Sequence, residues 1–302
     1  MEEFSFIDWI RGRTRLDAER FPVGPGDDCA VMRLGGQLLL VTTDQCADGV
    51  HFILRECGHE QAGCKAMARS LSDIAAMGGE PLAAVATVAL PKGASQTDAQ
   101  AVYLGLRRSG DAFGCPVIGG DVAAWDHPLL LTVTMLGRPA GPAPILRGAA
   151  KVGDAVCVTG SLGGSLVSGK HLTFTPRLRE AAELARRHPI HAMIDISDGL
   201  AADLGHICRE SGVGAELTAE AIPISPAAMG TQDPLAAALR DGEDYELLFT
   251  LPSPGAERLA AEWKLQVPIT RIGTIVAGGD MCLVEANGQV RSLGKAGFQH
   301  TT

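Results

Sequence analysis

The stretch GPGDDCAVMRLGGQLLLVTTD, residues 24–44, decides the fold of the first half of the chain. Its two apolar segments flank Gly35-Gly36, a pattern that predicts a β-hairpin. The loop before the first strand places Asp27 and Asp28 side by side, and the second apolar run leads to Asp44. Like charges beside a buried strand repel each other, so this arrangement calls for a capping role or for a cation.

Strands and helices alternate through the rest of the chain, which predicts an α/β (α+β) fold. The length of 302 residues corresponds to about two domains of roughly 150 residues. The proline-rich segment RPAGPAPILRGAAKVGD, residues 138–154, marks a boundary between halves. We therefore expect an N-terminal domain over residues 1–147 and a C-terminal domain over residues 148–302.

Local patterns predict the individual elements of both halves. We expect helices over residues 5–16, 59–78 and 97–113, a buried strand at PLAAVATVALP (81–91), a short strand with a following loop at PVIGGD (116–121), a strand at DYELLFTL (244–251), and a final hairpin turning at Asn287-Gly288.

The charge balance argues against a nucleic-acid binding protein. The chain carries 26 basic and 35 acidic residues, a net charge of −9, whereas nucleic-acid binding proteins usually show a basic patch or a high isoelectric point. We therefore expect no nucleic-acid partner. The sequence has no apolar run of about 20 residues, as a membrane span requires. The N-terminal MEEFSF also lacks the pattern of a signal peptide, so we expect a cytoplasmic protein without a membrane partner.

The eight cysteines are not arranged for metal binding, since no two of them form a C-x-x-C pair. Most of them lie among apolar residues. We expect small buried hydrophobic side chains rather than a disulfide framework, which would be unusual in a reducing cytosol.

Aspartates recur where apolar strands end or beside glycines. They are Asp27, Asp28, Asp44, Asp48, Asp121, Asp195 and Asp198. Asp73 lies on a predicted helix, with Lys65 and Arg69 on the same face at four-residue spacing. Ligands of α/β proteins bind beyond the carboxyl ends of strands, so several of these carboxylates are expected to converge. Two such charges 4 Å apart repel by about 4 kcal/mol at an effective dielectric constant near 20. Mg²⁺ bound to oxygen ligands and to substrate phosphates removes that repulsion.

Each of these motifs also has a structural interpretation, and the residues alone leave both open. The Asp-Gly pairs at Asp48 and Asp198 are common turn dipeptides, and Asp27-Asp28 can form a capped turn. Asp73 can pair with Arg69 on a helix surface, and SLGGS (161–165) can be a plain turn or a phosphate cradle. A lone His51 is more often structural than catalytic. The acidic run 242–246 can be a solvated strand entry, and Arg147 can be a salt bridge or an anion contact.

Eight motifs in a fixed order resemble the thiamine-monophosphate kinases, within the superfamily of aminoimidazole-ribotide synthetase-like ATP-binding enzymes. DGVHF, SDIAAMG and GEDYEL in this order are the most specific part, and the resemblance extends from about residue 4 to residue 298. The motifs are GPGDDCAV (24–31), TTDQCADGVHF (42–52), KAMARSLSDIAAMGGEP (65–81), IGGD (118–121), ILRGAAKVGD (145–154), VTGSLGGS (158–165), IDISDGLAADLGHI (194–207) and DGEDYELLFT (241–250).

The resemblance implies ATP- and Mg²⁺-dependent phosphorylation of thiamine monophosphate to thiamine diphosphate. It implies an N-terminal mixed sheet flanked by helices and pairing in a homodimer, and a C-terminal α/β domain that completes the site. The implied magnesium ligands are Asp28, Thr42, Thr43, Asp44, Asp73, Asp121, Asp195 and Asp198. The implied ATP contacts are Gly120, Asp121, Arg147 and Ser197. The implied contacts to thiamine monophosphate are His51, Glu243 and Phe298. Asp121 and Asp198 are the residues we expect to be catalytic.

Other members of this superfamily fit the sequence less well. A selenophosphate synthetase needs a reactive cysteine or selenocysteine in a glycine-rich N-terminal segment, and residues 1–26 contain no cysteine. The hydrogenase-maturation relative carries a functional C-terminal cysteine, whereas this chain ends in Gln-His-Thr-Thr. A nucleotide-binding regulator that has lost catalysis would be expected to have lost ligands such as Asp28 or Asp121, and both are present.

Overall fold

The computed structural model of the chain describes residues 3–294, with side chains from residue 6 onward. The first half forms a five-stranded sheet in the order β1-β2-β5-β3-β4. Its elements are α1 (Glu3–Arg13), β1 (Ala30–Leu34), β2 (Gln37–Ala47), α2 (Leu54–Ala76), β3 (Gly79–Pro91), α3 (Gln96–Asp111), β4 (Val117–Trp125) and β5 (Leu130–Pro139).

The predicted hairpin around Gly35-Gly36 is confirmed. Leu34 pairs with Gln37, and both glycines have positive φ values of 57° and 82°, as a two-residue hairpin turn of the I′ type requires. The strand pairs of this sheet are antiparallel except for β3 with β4, which is parallel. The N-terminal mixed sheet is therefore confirmed.

Helix α2 covers one face of this sheet, here called the inner face. Its apolar side chains, such as Met67, Leu71 and Ile74, are fully buried in one core with Leu40 and Met135 of the sheet. On the opposite face, here called the outer face, side chains alternate with the buried ones and are exposed. The predicted buried strand at β3 is therefore buried on one face only, as expected for a mostly antiparallel sheet.

The second half forms a seven-stranded mixed sheet in the order β12-β11-β8-β10-β6-β9-β7, with β11 and β8 parallel. Helix α7 packs beside β7 and β8 in a separate apolar core. The elements are β6 (Asp154–Thr159), α4 (Ser165–Ser168), α5 (Lys170–Thr173), α6 (Leu178–Arg187), β7 (Ala192–Asp195), α7 (Leu200–Ser211), β8 (Gly214–Thr218), α8 (Pro234–Arg240), β9 (Leu247–Pro252), α9 (Ser253–Glu262), β10 (Ile269–Val276), β11 (Met281–Val284) and β12 (Val290–Ser292).

Two strand predictions were wrong in ways that affect the site. Strand β4 does not end at residue 121 but continues to Trp125, so Asp121 lies inside an edge strand and not in a loop. Strand β9 begins at Leu247, later than predicted. The delay has a backbone cause, because Glu243 and Tyr245 have φ values of 64° and 50°, which no extended strand accommodates.

Other sequence predictions fare better. Helix α1 ends at Arg13, three residues early, and α2 begins before residue 59, with a kink at Gly58. The hairpin turning at Asn287-Gly288 is confirmed by the antiparallel pair β11 and β12. All eight cysteines are unbridged and six of them are buried, as predicted. Within residues 3–294, no helix is both long and apolar enough to cross a bilayer.

Candidate active site

A cavity of about 430 Å³ lies between the two halves of the chain. Helix α2 and strand β2 supply Arg69 and Asp44 to its wall, while the loops around β7 and β9 supply Ser197 and Glu243. Arg147 lines it from the segment that joins the two sheets. Six of the predicted site residues line this cavity, namely Asp44, His51, Arg147, Ser197, Asp198 and Glu243.

Three further predicted magnesium ligands, Asp28, Asp73 and Asp195, form a carboxylate triad behind the cavity wall, where Arg147, which lines the cavity, binds Asp28. One oxygen from each lies within 4.8 Å of the others, although they come from a loop, a helix and a strand end. Each carboxylate is fixed by a neighbour: Arg147 donates to Asp28 from Nε (3.0 Å) and Nη2 (2.5 Å), Thr42 Oγ1 donates to Asp73 (2.5 Å), and Ser72 Oγ donates to Asp195 (2.5 Å).

The triad is electrostatically strained without a cation. Burial, followed by the charges of Asp44 and Asp195, raises the pKa of Asp73 well above its ordinary range. Burial and the charge of Asp28 raise the pKa of Asp195 to about 7. Converging carboxylate oxygens are the donor set that hard divalent cations prefer, and a bound cation would stabilise the ionised forms. The residues present therefore fit Mg²⁺.

The adjacent Asp27 and Asp28 divide their roles. The carboxylate of Asp27 accepts hydrogen bonds from the backbone N–H groups of Asp28 (3.1 Å) and Arg147 (3.2 Å), so it caps the turn and attaches the loop to the segment that joins the two sheets. Burial, with a contribution from Asp28, raises the pKa of Asp27 to about 7. Asp28 instead belongs to the triad, and its carboxylate accepts hydrogen bonds from the side chain of Arg147.

A second group of possible metal ligands includes Asp198, which lines the cavity. Asp198, Asp203 and His206 each offer an atom within 4.8 Å of the others. Asp203 is buried and accepts the backbone N–H of Asp198 at 3.1 Å, which fixes the loop that carries Ser197. Burial, together with Arg147 and Arg209, lowers the pKa of His206 to about 3, so its imidazole is neutral.

The part of the cavity wall that carries His51 and Glu243 is organised around a fully buried lysine. The ammonium of Lys65 contacts the carboxylate of Glu243 and the backbone carbonyl of His51. The backbone N–H of Glu243 donates to Ser197 O at 2.7 Å, so the strained loop is attached to the β7 end as well. Lys65 thereby joins two predicted substrate contacts, one from each half of the chain.

The orientation of His51 follows from its neighbours. The backbone N–H of Ala47 donates to Nδ1 of His51 at 3.0 Å, so Nδ1 acts as an acceptor. In the neutral ring the proton then lies on Nε2. His51 lines the cavity and is a donor rather than a base there.

The comparisons with known proteins agree with this geometry. Residues 26–138 match the AIR synthase related protein, N-terminal domain, and residues 151–284 match the corresponding C-terminal domain. A thiamine-monophosphate kinase from Rhodopirellula baltica is 39% identical over 312 aligned positions, covering 99% of this chain and 97% of the relative. This chain belongs to the thiamine-monophosphate kinase family.

Solved structures of thiamine-monophosphate kinases superpose over nearly the whole chain. The structure described as AaThiL complexed with AMPPCP and TMP has a TM-score of 0.85 and 28% identity, covering 99% of this chain and 97% of that one. The enzyme from Stenotrophomonas maltophilia K279a has a TM-score of 0.73 and 35% identity, covering 95% and 97%.

Three residues that the resemblance to this kinase family implies do not reach the cavity within one chain. Gly120 on β4 lies in line with Asp44 on β2, but three strand spacings separate them, or about 14 Å. Asp121 follows Gly120 by one position, and Thr43 precedes Asp44 by one position. The side chains of Asp121 and Thr43 are therefore on the outer face. Thr43 Oγ1 contacts Thr134 Oγ1 there, at 2.9 Å.

Several alternative interpretations of the kinase motifs can now be decided. Arg69 pairs with Asp44 and not with Asp73. The acidic strand entry is not solvated, since Asp244 and Glu246 are buried. The glycine turn at 161–165 is a plain turn, because the N–H groups of Gly163 and Gly164 already donate to Asp244 (2.7 Å) and Asp241 (2.9 Å).

Sequence reasoning missed the functional position of two residues of this kinase. The sequence showed Lys65 only as one of three charged residues spaced four apart on a predicted helix. This spacing did not indicate that the Lys65 ammonium would be buried. Asp203 follows Asp198 by five residues on α7, and an acidic residue in the first turn of a helix also has a plain structural role. The predicted substrate contact Phe298 lies outside the described residues.

Proposed function

We propose that this chain transfers the γ-phosphoryl group of ATP directly to thiamine monophosphate with the help of Mg²⁺, in the cytoplasm. The carboxylate triad, which lies next to a cavity between the two halves of the chain, is the observation that carries the proposal. The structure of the relative described as complexed with AMPPCP and TMP supports the same pair of substrates.

The acidic residues would hold the metal ions. Asp28, Asp73 and Asp195 form the central set, and Asp44 and Asp198 line the cavity next to it. Thr42 lies behind Asp73 as its hydrogen-bond donor. When bound, Mg²⁺ would neutralise charge on the transferred phosphoryl group and on the phosphate groups of both substrates.

The remaining chemistry consists mostly of positioning. The acceptor is a phosphate monoester with a second pKa near 6, so it is largely ionised at neutral pH and needs no strong base. This agrees with a site in which His206 is neutral and His51 presents an N–H. Arg147 is held by Asp28 at the nucleotide end and would offer further donors to phosphate oxygens.

The other end of the cavity would bind the thiamine moiety. The thiazolium ring is cationic, and the Glu243 carboxylate, which is fixed by Lys65, lines this part of the cavity. His51 would donate from Nε2 to a polar atom of the substrate. The expected stacking contact from Phe298 stays a prediction.

A homodimer would account for the residues that one chain leaves outside the cavity. Asp121 lies on the edge strand β4, and its neighbours Ile118 and Val122 are about two-thirds exposed. Val85 and Leu136 add apolar surface on the outer face. Pairing of two chains through the outer face and the β4 edge would cover this surface and bring Gly120, Asp121 and Thr43 against a second copy. The division into domains at residues 147 and 148 is part of the same proposal.

A direct assay tests the proposed function. Purified protein with ATP and Mg²⁺ is expected to convert thiamine monophosphate to thiamine diphosphate, measured by chromatography of the products. The absence of product, alongside an active control kinase of this family, would refute the function.

Mixing two inactive variants tests the dimer and the role of Asp121 together. We expect Asp121→Asn and Asp198→Asn each to lower turnover by on the order of 10²-fold or more, because each removes a carboxylate from the phosphoryl-transfer site. If each site takes Asp121 from one protomer and Asp198 from the other, mixed dimers contain one intact site. Co-refolded variants should then recover about a quarter of wild-type turnover.

The mixture has a clear opposite outcome. Turnover that stays at the level of the single variants would place both aspartates in the same protomer's site or show that the chains do not pair. Light scattering on the wild-type protein separates these two explanations.

A further inference from the structure

Arg69 is a basic residue of the cavity wall that lies close to both Asp44 and Glu243. It lies one helical turn after Lys65 and one turn before Asp73 on α2. Its side chain is about 16% exposed, lines the cavity with His51 and Glu243, and carries its Nε 3.5 Å from Asp44 Oδ2. The guanidinium therefore stands between the residues for thiamine and the residues for magnesium.

The hydrogen-bonding capacity of Arg69 is largely unused. A guanidinium has five N–H donors, and Nη1 donates to the carbonyl of Gln45 at 3.1 Å. The Nε–H is buried and has no hydrogen-bond acceptor. The Asp44 carboxylate lies within ion-pair distance of Nε, but the geometry between the two groups is not that of a hydrogen bond. A rigid, always protonated group with unsatisfied donors at a cavity wall is suited to an anionic ligand.

Three other cations in or beside the cavity wall are engaged by carboxylates. Arg147 binds Asp28 with two donors, and Arg11 binds Glu210 with two donors at 2.7 and 2.8 Å. The ammonium of Lys65 is directed at Glu243. Arg69 differs from these three in that no carboxylate accepts a hydrogen bond from it among the described residues.

The chemistry of the acceptor matches this position. Its phosphate must lie next to the transferred phosphoryl group, so it must lie beside the carboxylates that hold the metal, while its organic part extends toward His51 and Glu243. Arginine binds phosphate oxygens with two parallel N–H donors, which fixes orientation as well as charge.

We infer that Arg69 binds the phosphate group of the acceptor substrate and thereby selects a phosphorylated thiamine over thiamine itself. This inference rests on the proposed function and assigns one residue to one part of the substrate. It makes Arg69 a specificity-determining contact rather than a structural cation of α2.

Binding of two ligands that differ only in the phosphate tests this role. Titration calorimetry is performed with thiamine monophosphate and with thiamine, in the presence of Mg²⁺ and a non-hydrolysable ATP analogue. We expect Arg69→Gln to weaken binding of thiamine monophosphate by about tenfold to hundredfold and to leave binding of thiamine unchanged. Arg69→Lys, which keeps the charge without the planar fork, should give an intermediate loss.

Arg187→Gln is the matched control, since Arg187 is exposed on α6 and its ion pair with Glu183 lies on the same helix. It should leave both affinities unchanged. Equal weakening of both ligands by Arg69→Gln, or no weakening of either, would overturn the assignment of Arg69 while leaving the kinase function standing. A wild-type protein that neither binds nor phosphorylates thiamine monophosphate would refute the proposed function and this inference with it.

Discussion

Asp195→Asn is expected to lower turnover by on the order of 10²–10³-fold while leaving the fold intact. The side chain lies at the end of β7 within the carboxylate triad and accepts a hydrogen bond from Ser72. Asparagine keeps the size and the accepting oxygen of this side chain but removes the charge that would hold a cation. Steady-state kinetics with ATP, Mg²⁺ and thiamine monophosphate measures the loss.

The same substitution should change how stability depends on pH. Burial, then the charge of Asp28, raises the pKa of Asp195 from 3.8 to about 7, so the folded protein holds a proton that the unfolded chain releases. Its contribution to stability is present below about pH 4 and is lost as the pH rises through about 7. In EDTA, the wild-type melting temperature should therefore fall more between about pH 5 and pH 8 than that of Asp195→Asn.

Magnesium supplies the complementary measurement. At about pH 8 it should raise the melting temperature of the wild type more than that of the variant, because binding to the folded state stabilises it. Asp126→Asn is the control, since Asp126 is exposed and pairs with Lys92 on the surface. Wild-type turnover in Asp195→Asn, or the same pH dependence of stability in both proteins, would contradict the role of Asp195 in the triad.

Lys65→Met is expected to destabilise the protein by about 3–5 kcal/mol and to raise the KM for thiamine monophosphate more than tenfold. Lys65 is 0% exposed, and its ammonium contacts the Glu243 carboxylate and the His51 carbonyl. Removal of the ammonium leaves a mostly buried carboxylate unpaired and releases the strained loop at Glu243. Chemical denaturation and kinetics measure the two effects.

A double variant separates these two effects. Lys65→Met with Glu243→Gln removes both charges, so much of the stability should return, but the site for thiamine should stay impaired. The KM for ATP should change less than the KM for thiamine monophosphate, because the Lys65 ammonium contacts only the two predicted substrate residues, His51 and Glu243. Lys92→Met, at an exposed surface pair, is the control. A stable Lys65→Met protein with unchanged KM would show that Lys65 is not a positioning residue.

Much of the fold could be read from local pattern. Gly35-Gly36 between two apolar runs specified the first hairpin, because two successive positive φ values are accessible chiefly to glycine. The errors arose where the backbone departs from what the side chains favour. At 243–246 a run that looks like a strand is held in left-handed conformations by contacts with β7 and Lys65, which lie far away in sequence.

The sequence predicted which residues belong to the site better than it predicted how they are arranged. Asp28, Asp73 and Asp195 were all identified, but nothing local indicated that these three would meet within 4.8 Å. Asp121 shows the limit most clearly. Its position beside glycines suggested a loop, whereas the pairing of β4 with β3 places it on the open face of a sheet.

By itself, the sequence determined the alternation of strands and helices, the family to which the chain belongs, and the stock of carboxylates that Mg²⁺ requires. Only the tertiary structure decided which carboxylates share a cation, that Asp27 caps a turn while Asp28 faces the triad, and that Lys65 and Arg69 have different roles on one helix face. The physical reason is the distance along the chain over which each effect acts. Turn and helix preferences act over a few residues, whereas charge repulsion, burial and hydrogen-bond satisfaction depend on neighbours that only the folded chain brings together.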